Sequence, residues 1–294
     1  MRKAVIDLGT NTFNLLIAEV FDERFEIIHS EKEGVALGMG GINQNIIASE
    51  AYLRGINTLI HFKERCDHFN VEEIKGIGTS ALRDASNAQY FIDEVLKVCG
   101  IKIEIVTGLR EAKLIYEGVK WSYRFIEPAV IMDIGGGSTE FVFADKDGIY
   151  DLISLNIGVS RIYQHFQCSD PLTKQNVKDI EDWLEEKSDG FFDGKEEHIL
   201  IGASGSFETF YELIHNEPFP EKIKAVEISV HYLFECLDEI IASTLAERDS
   251  NEWIIPIRKK MAPIAAVKTR WVLNKLNIKK VYISPCSLKE GALA

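Results

Sequence analysis

VIDLGTNTFNLLIA, residues 5–18, carries an apolar run into an acid, a glycine and small polar residues, and turns apolar again at Phe13. VIMDIGGGSTEFVFA, residues 130–144, does the same a second time. A strand that ends in Asp, turns on Gly and Ser or Thr, and restarts as a strand is a hairpin whose turn faces an anion. Glycine admits backbone conformations and close approaches that a Cβ forbids, and successive N–H groups in such a turn form a concave cradle for phosphate oxygens. The first turn offers Gly9, Thr10, Asn11 and Thr12; the second offers Gly135, Gly136, Gly137, Ser138 and Thr139. Asp7 and Asp133 stand at the strand ends, where a carboxylate can hold Mg²⁺ directly or through water. Two such loops facing each other are expected to grip a chain of phosphates from both sides.

The pattern around each loop repeats as well. In the first half, strands are expected over 3–8, 13–20 and 25–33, followed by a glycine-rich loop over 34–45 and a helix from about Ser49 to Cys66. A strand over 73–79, a helix over 88–98 capped by Asn87, a strand over 101–106 and a helix over 109–120 complete that half. The periodicity breaks around 121–128. The second half restarts with strands over 129–134, 139–146 and 149–155, then helices over 159–166 and 172–187. A strand over 198–202, a helix from 206, a long helix over 227–246, a helix over 263–277, a strand over 279–284 and a short last helix follow. Two halves of one order make a duplicated α/β protein, with lobes 1–124 and 125–294 around a central cleft. The last helix is a candidate to pack back on the first lobe.

Composition bounds the function. The chain has 294 residues, 46% of them apolar and 27% charged, which suits a globular protein with a large core. The net charge of −13 argues against nucleic acid or an anionic membrane as partner. Residues 251–294 nevertheless carry a net +7 against −20 elsewhere, a local surface for an anion. No stretch reads as a signal peptide or a membrane span, and the five cysteines form no CxxC, so free thiols in a reducing cytoplasm are expected.

Two further loops add donors. GASGS, residues 202–206, sits between a strand and a helix and would place Gly205 and Ser206 at a helix N-terminus. GTSALRDASN, residues 78–87, offers Thr79, Ser80 and Arg83, the last able to fork onto a phosphate. The ordered set VIDLGTNT, GTSALRDA, TGLREAKLIYEGV, IMDIGGGSTE, LNIGVSRI, GASGS and SLKEG resembles the exopolyphosphatase/guanosine pentaphosphate phosphatase family, from about residue 3 to the end. The most specific piece is REAKLIYEGV followed by DIGGGSTE. The resemblance implies a duplicated actin-like, ribonuclease H-like fold, shared with Hsp70 and sugar kinases.

It also implies a chemistry. Glu111 would be the catalytic carboxylate that orients or deprotonates the attacking water, and Arg83 would hold the scissile phosphoryl group. Asp133 and Glu140 would bind Mg²⁺, with Asp7 beside them, and Mn²⁺ is a possible substitute. Gly158 and Arg161 match the family's next motif. Positioning and charge neutralisation supply most of phosphoryl-transfer catalysis, so this kit is sufficient. The substrate would be inorganic polyphosphate, short chains favoured, or guanosine pentaphosphate of the stringent response. A homodimer is expected from the family's habit. The short form, which stops after the last motif, is expected to lack processive action on long chains.

The chain departs from the family's pattern at three places. Arg110 precedes Glu111 where two acids are usual, Arg258-Lys259-Lys260 replaces R-A-D, and Ser287-Leu288-Lys289-Glu290-Gly291 replaces G-L-R-E-G. Two other readings stay open on sequence: a sensor that binds an alarmone or polyphosphate without turnover, and an ATPase or kinase of the same fold.

Overall fold

Apolar runs lay down β1 (Arg2–Leu8) and β2 (Phe13–Val20), and a more mixed pattern lays down β3 (Phe25–Glu33). A computed structural model gives the structure, and it describes residues 1–22 and 24–293. The glycine-rich loop then tightens into a 3-10 turn at Ile42–Gln44. There follow α1 (Ser49–His68), β4 (Glu73–Gly78), α2 (Ser80–Asp84), α3 (Ala88–Cys99), β5 (Lys102–Ile105) and α4 (Gly108–Val119). The second half is β6 (Ala129–Ile134), β7 (Thr139–Asp145), β8 (Gly148–Leu155), α5 (Val159–His165), α6 (Lys174–Ser188), β9 (Ile199–Gly202) and α7 (Gly205–His215). It ends with β10 (Val226–Ile228), α8 (Val230–Ala242), α9 (Leu245–Ser250), α10 (Ala262–Lys275), β11 (Lys280–Ile283) and α11 (Leu288–Gly291).

Two local expectations are corrected, and one short helix was not foreseen. The helix expected over 227–246 is a strand and two helices, because hydroxyl side chains interrupt it. Ser229 Oγ accepts from Tyr232 N, and Thr244 and Glu247 cap α9 reciprocally. Asn87 precedes α3 but does not cap it; its side chain accepts from Ile47 N at 2.8 Å and donates to Ile47 O at 2.9 Å, tying down the preceding loop. The five-residue α2 is too short for a helical period to reveal.

The first sheet runs β3-β2-β1-β4-β5, with β1 antiparallel to β2 and parallel to β4. The second runs β10-β11-β9-β6-β7-β8, so from β8 inward it repeats the first order and adds β10 at the edge. This is the duplicated actin-like fold. Each sheet carries its own apolar core, and a third cluster fills the space between them. That third cluster holds residues of α4 (Ala112, Ile115, Val119) and of the last turns (Leu288, Ala292, Leu293). α4 packs on β7 and β8, while α11 packs on β1, β2 and α4. All five cysteines are free and four are buried. Among the described residues no helix is long and apolar enough to cross a membrane.

Candidate active site

The two hairpins are built alike. In the first, Asp7 pairs across the ladder with Asn14; in the second, Asp133 pairs with Glu140. Glycine is required at the same place in both turns: a Cβ on Gly9 would stand 2.8 Å from Thr12 O, and one on Gly135 2.9 Å from Ser138 O. Each turn is braced from behind by a later loop. Gly38 N and Ala36 N donate to Thr10 O and Asn11 O at 3.0 and 2.8 Å, and Gly158 N and Ser160 N donate to Gly137 O and Gly136 O at 3.1 and 2.8 Å. The repeat therefore puts Asn14 in the first lobe where the second has Glu140, a correspondence that the sequence repeat carries and that reading the motifs singly misses.

The loops face each other, but their tips touch. A Cβ on Gly136 would lie 2.8 Å from Asn11 Cγ, and one on Gly137 2.4 Å from Ser80 Oγ. Asn11 is spent on this contact, accepting from Ser160 Oγ at 2.5 Å. The open space lies to one side of the tips, in a cleft between the sheets. Asp7, Gly9, Thr10, Asn11, Thr12, Glu111, Asp133, Gly135, Gly136, Gly137, Ser138, Glu140, Gly205 and Ser206 line it. Thr139, expected beside the phosphates, is corrected: it is fully buried and its Oγ1 accepts from Lys268 Nζ at 2.5 Å, on the far side of the strand. Alternation along β7 turns Glu140 to the cleft and Thr139 away from it.

Glu111 stands in the first turn of α4, which Thr107 caps by accepting from Arg110 N at 3.2 Å. Arg83 Nη1, from α2, donates to Glu111 Oε2 at 2.8 Å and to Val106 O at 3.1 Å. Arg83 thus reaches the site through Glu111. Burial raises the Glu111 carboxyl well above its ordinary range, the Glu140 charge adds to this, and Arg83 opposes both. Burial and then Glu140 push Asp133 up to about 8, against the Ser287 hydroxyl that donates to it at 2.5 Å. Burial pushes Asp7 up to about 6, against Asn14 Nδ2, which donates to it at 3.1 Å. Glu140 is raised by burial too, opposed by Ser154 Oγ, which donates at 2.7 Å. Four carboxylates that each hold a proton more tightly than usual form a set that a cation would relieve.

The oxygen donors suit Mg²⁺, which takes one or two carboxylates and keeps water and phosphate in its remaining positions. Among the described residues, no three His, Cys, Asp or Glu side chains converge as a ready-made cage. Of the departures, Arg110 and Lys260 are exposed, whereas Lys289 lines the cleft and pairs with Glu290 at 2.9 Å. Arg161 is a brace between lobes: it donates to Gly137 O at 2.8 Å and Ile42 O at 3.2 Å, and pairs with Asp84. Gly158 fits against the second turn, where a Cβ would meet Gly136 O at 2.2 Å. Motif reading did not single out Lys32, Glu208 or Lys268. Each sits outside the two hairpin turns, and only Glu208 lies near a quoted motif.

A profile described as the Ppx/GppA phosphatase family matches residues 16–294. The chain belongs to the Ppx/GppA phosphatase family. An exopolyphosphatase from Cytophaga hutchinsonii is similar over 100% of this chain and 96% of its own, with a TM-score of 0.95 and 33% identity. A PPX-GPPA enzyme from Aquifex aeolicus aligns over 100% of this chain and 98% of its own, with a TM-score of 0.83 and 27% identity. A bifunctional 3-dehydroquinate synthase/phosphatase from Fusobacterium nucleatum is 36% identical over 220 residues, 70% of this chain. The chain spans only 33% of that relative's length. The family is one of phosphatases, and these neighbours carry exopolyphosphatase and PPX-GPPA names of their own.

Proposed function

We propose that this chain releases the terminal phosphate of short inorganic polyphosphates, or the 5′ γ-phosphate of guanosine pentaphosphate, by attack of water that Glu111 positions and deprotonates. The observation that carries this reading is the buried Glu111–Arg83 pair at 2.8 Å, set beside Asp7, Asp133 and Glu140 in one cleft. A carboxylate with raised proton affinity is the stronger base for water. Arg83 holds the carboxylate in one orientation and keeps a positive charge beside the reacting phosphoryl group. Gly135, Gly136, Gly137 and Ser138 line one wall and Gly9, Thr10 and Thr12 the other, which supports binding of phosphate oxygens between them. Asp133 and Glu140 would hold Mg²⁺, with Asp7 close by and water and phosphate filling its remaining positions. When bound, that ion supplies charge neutralisation to the phosphate oxygens.

The test is phosphate release with Mg²⁺ from short polyphosphate, long polyphosphate, guanosine pentaphosphate and ATP in parallel. Glu111→Gln is expected to lower turnover by about 10²–10⁴-fold while leaving binding largely intact. Unchanged release in that variant sinks the assignment of Glu111. Binding without release in the wild-type protein favours a sensor.

A further inference from the structure

The cleft holds a second group of charges, apart from the four carboxylates. Lys32 Nζ, on β3 of the first lobe, donates to Glu208 Oε2, on α7 of the second, at 3.0 Å. Arg258 Nη2 lies 3.8 Å from the same oxygen, and its Nη1 donates to Thr209 Oγ1 at 2.8 Å. The guanidinium rests against the start of α7, where a Cβ on Gly205 would fall 1.6 Å from Nη2. Lys32, Glu208 and Arg258 all line the same cleft as Glu111 and Asp133. Burial pushes the Glu208 carboxyl up, but Lys32 and Arg258 outweigh it and hold the group at about 2. Glu208 is therefore ionised at any working pH.

A phosphate-handling cleft that carries a permanent carboxylate between two cations has a specific consequence. A phosphate that reaches Lys32 and Arg258 must replace Glu208 as their partner, and a longer anion must also pass its negative charge. We propose that Glu208 is a specificity-determining residue: it is the built-in counter-ion of a Lys32–Arg258 subsite for phosphates beyond the scissile one, and it limits the negative charge that the subsite accepts. This rests on the hydrolase reading above. It selects short phosphoanhydrides, because one or two phosphates can exchange with a single carboxylate whereas a long polyanion is repelled by it.

The test is titration calorimetry of inorganic tripolyphosphate with Mg²⁺ on Glu111→Gln protein, where turnover is slow, with Glu208→Gln, Lys32→Met and both added. Glu208→Gln is expected to tighten binding about ten-fold, the effect of removing one like charge from a partly screened site. Lys32→Met is expected to cost little while Glu208 is present and about ten-fold once it is gone, since only then is Lys32 free of its carboxylate partner and able to meet the anion. The gain from Glu208→Gln is expected to be larger for long polyphosphate than for tripolyphosphate. Equal affinities with and without Glu208, or an Lys32→Met effect that is the same in both backgrounds, overturn the inference. Lys32 is exposed, so its variant tests the subsite even if Glu208→Gln folds poorly. Wild-type phosphate release with these null results removes the subsite alone; no release from any phosphoanhydride removes the hydrolase reading and the subsite with it.

Discussion

Gly118→Ala tests how the catalytic helix is held. Gly118 lies on α4, seven residues after Glu111, against the backbone of the segment leading into α11. A Cβ there would stand 1.8 Å from Ser287 O and 3.1 Å from Gly291 N, and one on Gly291 would stand 1.9 Å from Leu114 O. Two glycines thus let two backbones touch. An ordinary contact begins at 3.4 Å, so the Ser287 carbonyl must retreat about 1.6 Å. Leu288, Ala292 and Leu293, all buried around it, would have to follow. Overpacking of this kind costs about 3 kcal/mol at the upper end, whereas replacing a helical glycine by alanine returns about 1 kcal/mol. The net loss is about 2 kcal/mol, or about 3 °C in Tm for a chain of 294 residues. The same movement pulls Ser287 Oγ from Asp133 and shifts Lys289 in the cleft, so phosphate release should fall as well. Scanning calorimetry and a phosphate-release assay read the two effects. A Gly118→Ala protein as stable as wild type, or more so, with unchanged release would mean that helix propensity wins and the close approach is not required.

Asp133→Asn should alter how stability depends on pH. Asp133 has its folded-state pKa raised to about 8 from 3.8, so the stability its neutral form contributes is complete below 3.8 and is lost as pH rises through about 8. In chelator, Asp133→Asn should therefore gain on wild type in Tm between pH 5 and pH 9, and Mg²⁺ should stabilise wild type more than the variant; parallel Tm curves would contradict the burial argument. Arg161→Met should cost about 3 kcal/mol in urea unfolding, because Asp84 and two carbonyls lose their donor. Adding Asp84→Ala should recover part of that loss, and no recovery would show that the carbonyl contacts dominate.

The hairpins were legible because their determinants are local. Short apolar runs marked β1, β2, β6 and β7, and the Asp-Gly turns followed from residues within a few positions of each other. Duplication was legible for the same reason, since each half writes its own strand order. The interruption at Ser243-Thr244 and the short α2 were harder, because apolar residues on both sides keep a helical period while capping acts over single residues.

Partners distant in sequence were decided by the tertiary structure. Sequence named Arg83 and Glu111 separately, through a family resemblance, and folding brought them to 2.8 Å. It counted Thr139 among the phosphate ligands, but the fold buries it on Lys268, 129 residues away. It noted the +7 segment without saying which of its cations meets the cleft; folding buries Lys268 behind β7, leaves Lys260 in solvent, and sets Arg258 against Glu208. Backbone propensity and side-chain alternation act over a few residues and are written in order along the chain. Burial, close helix approach and the pairing of charges depend on which surfaces meet, and that is settled only when the two lobes close on α4 and α11.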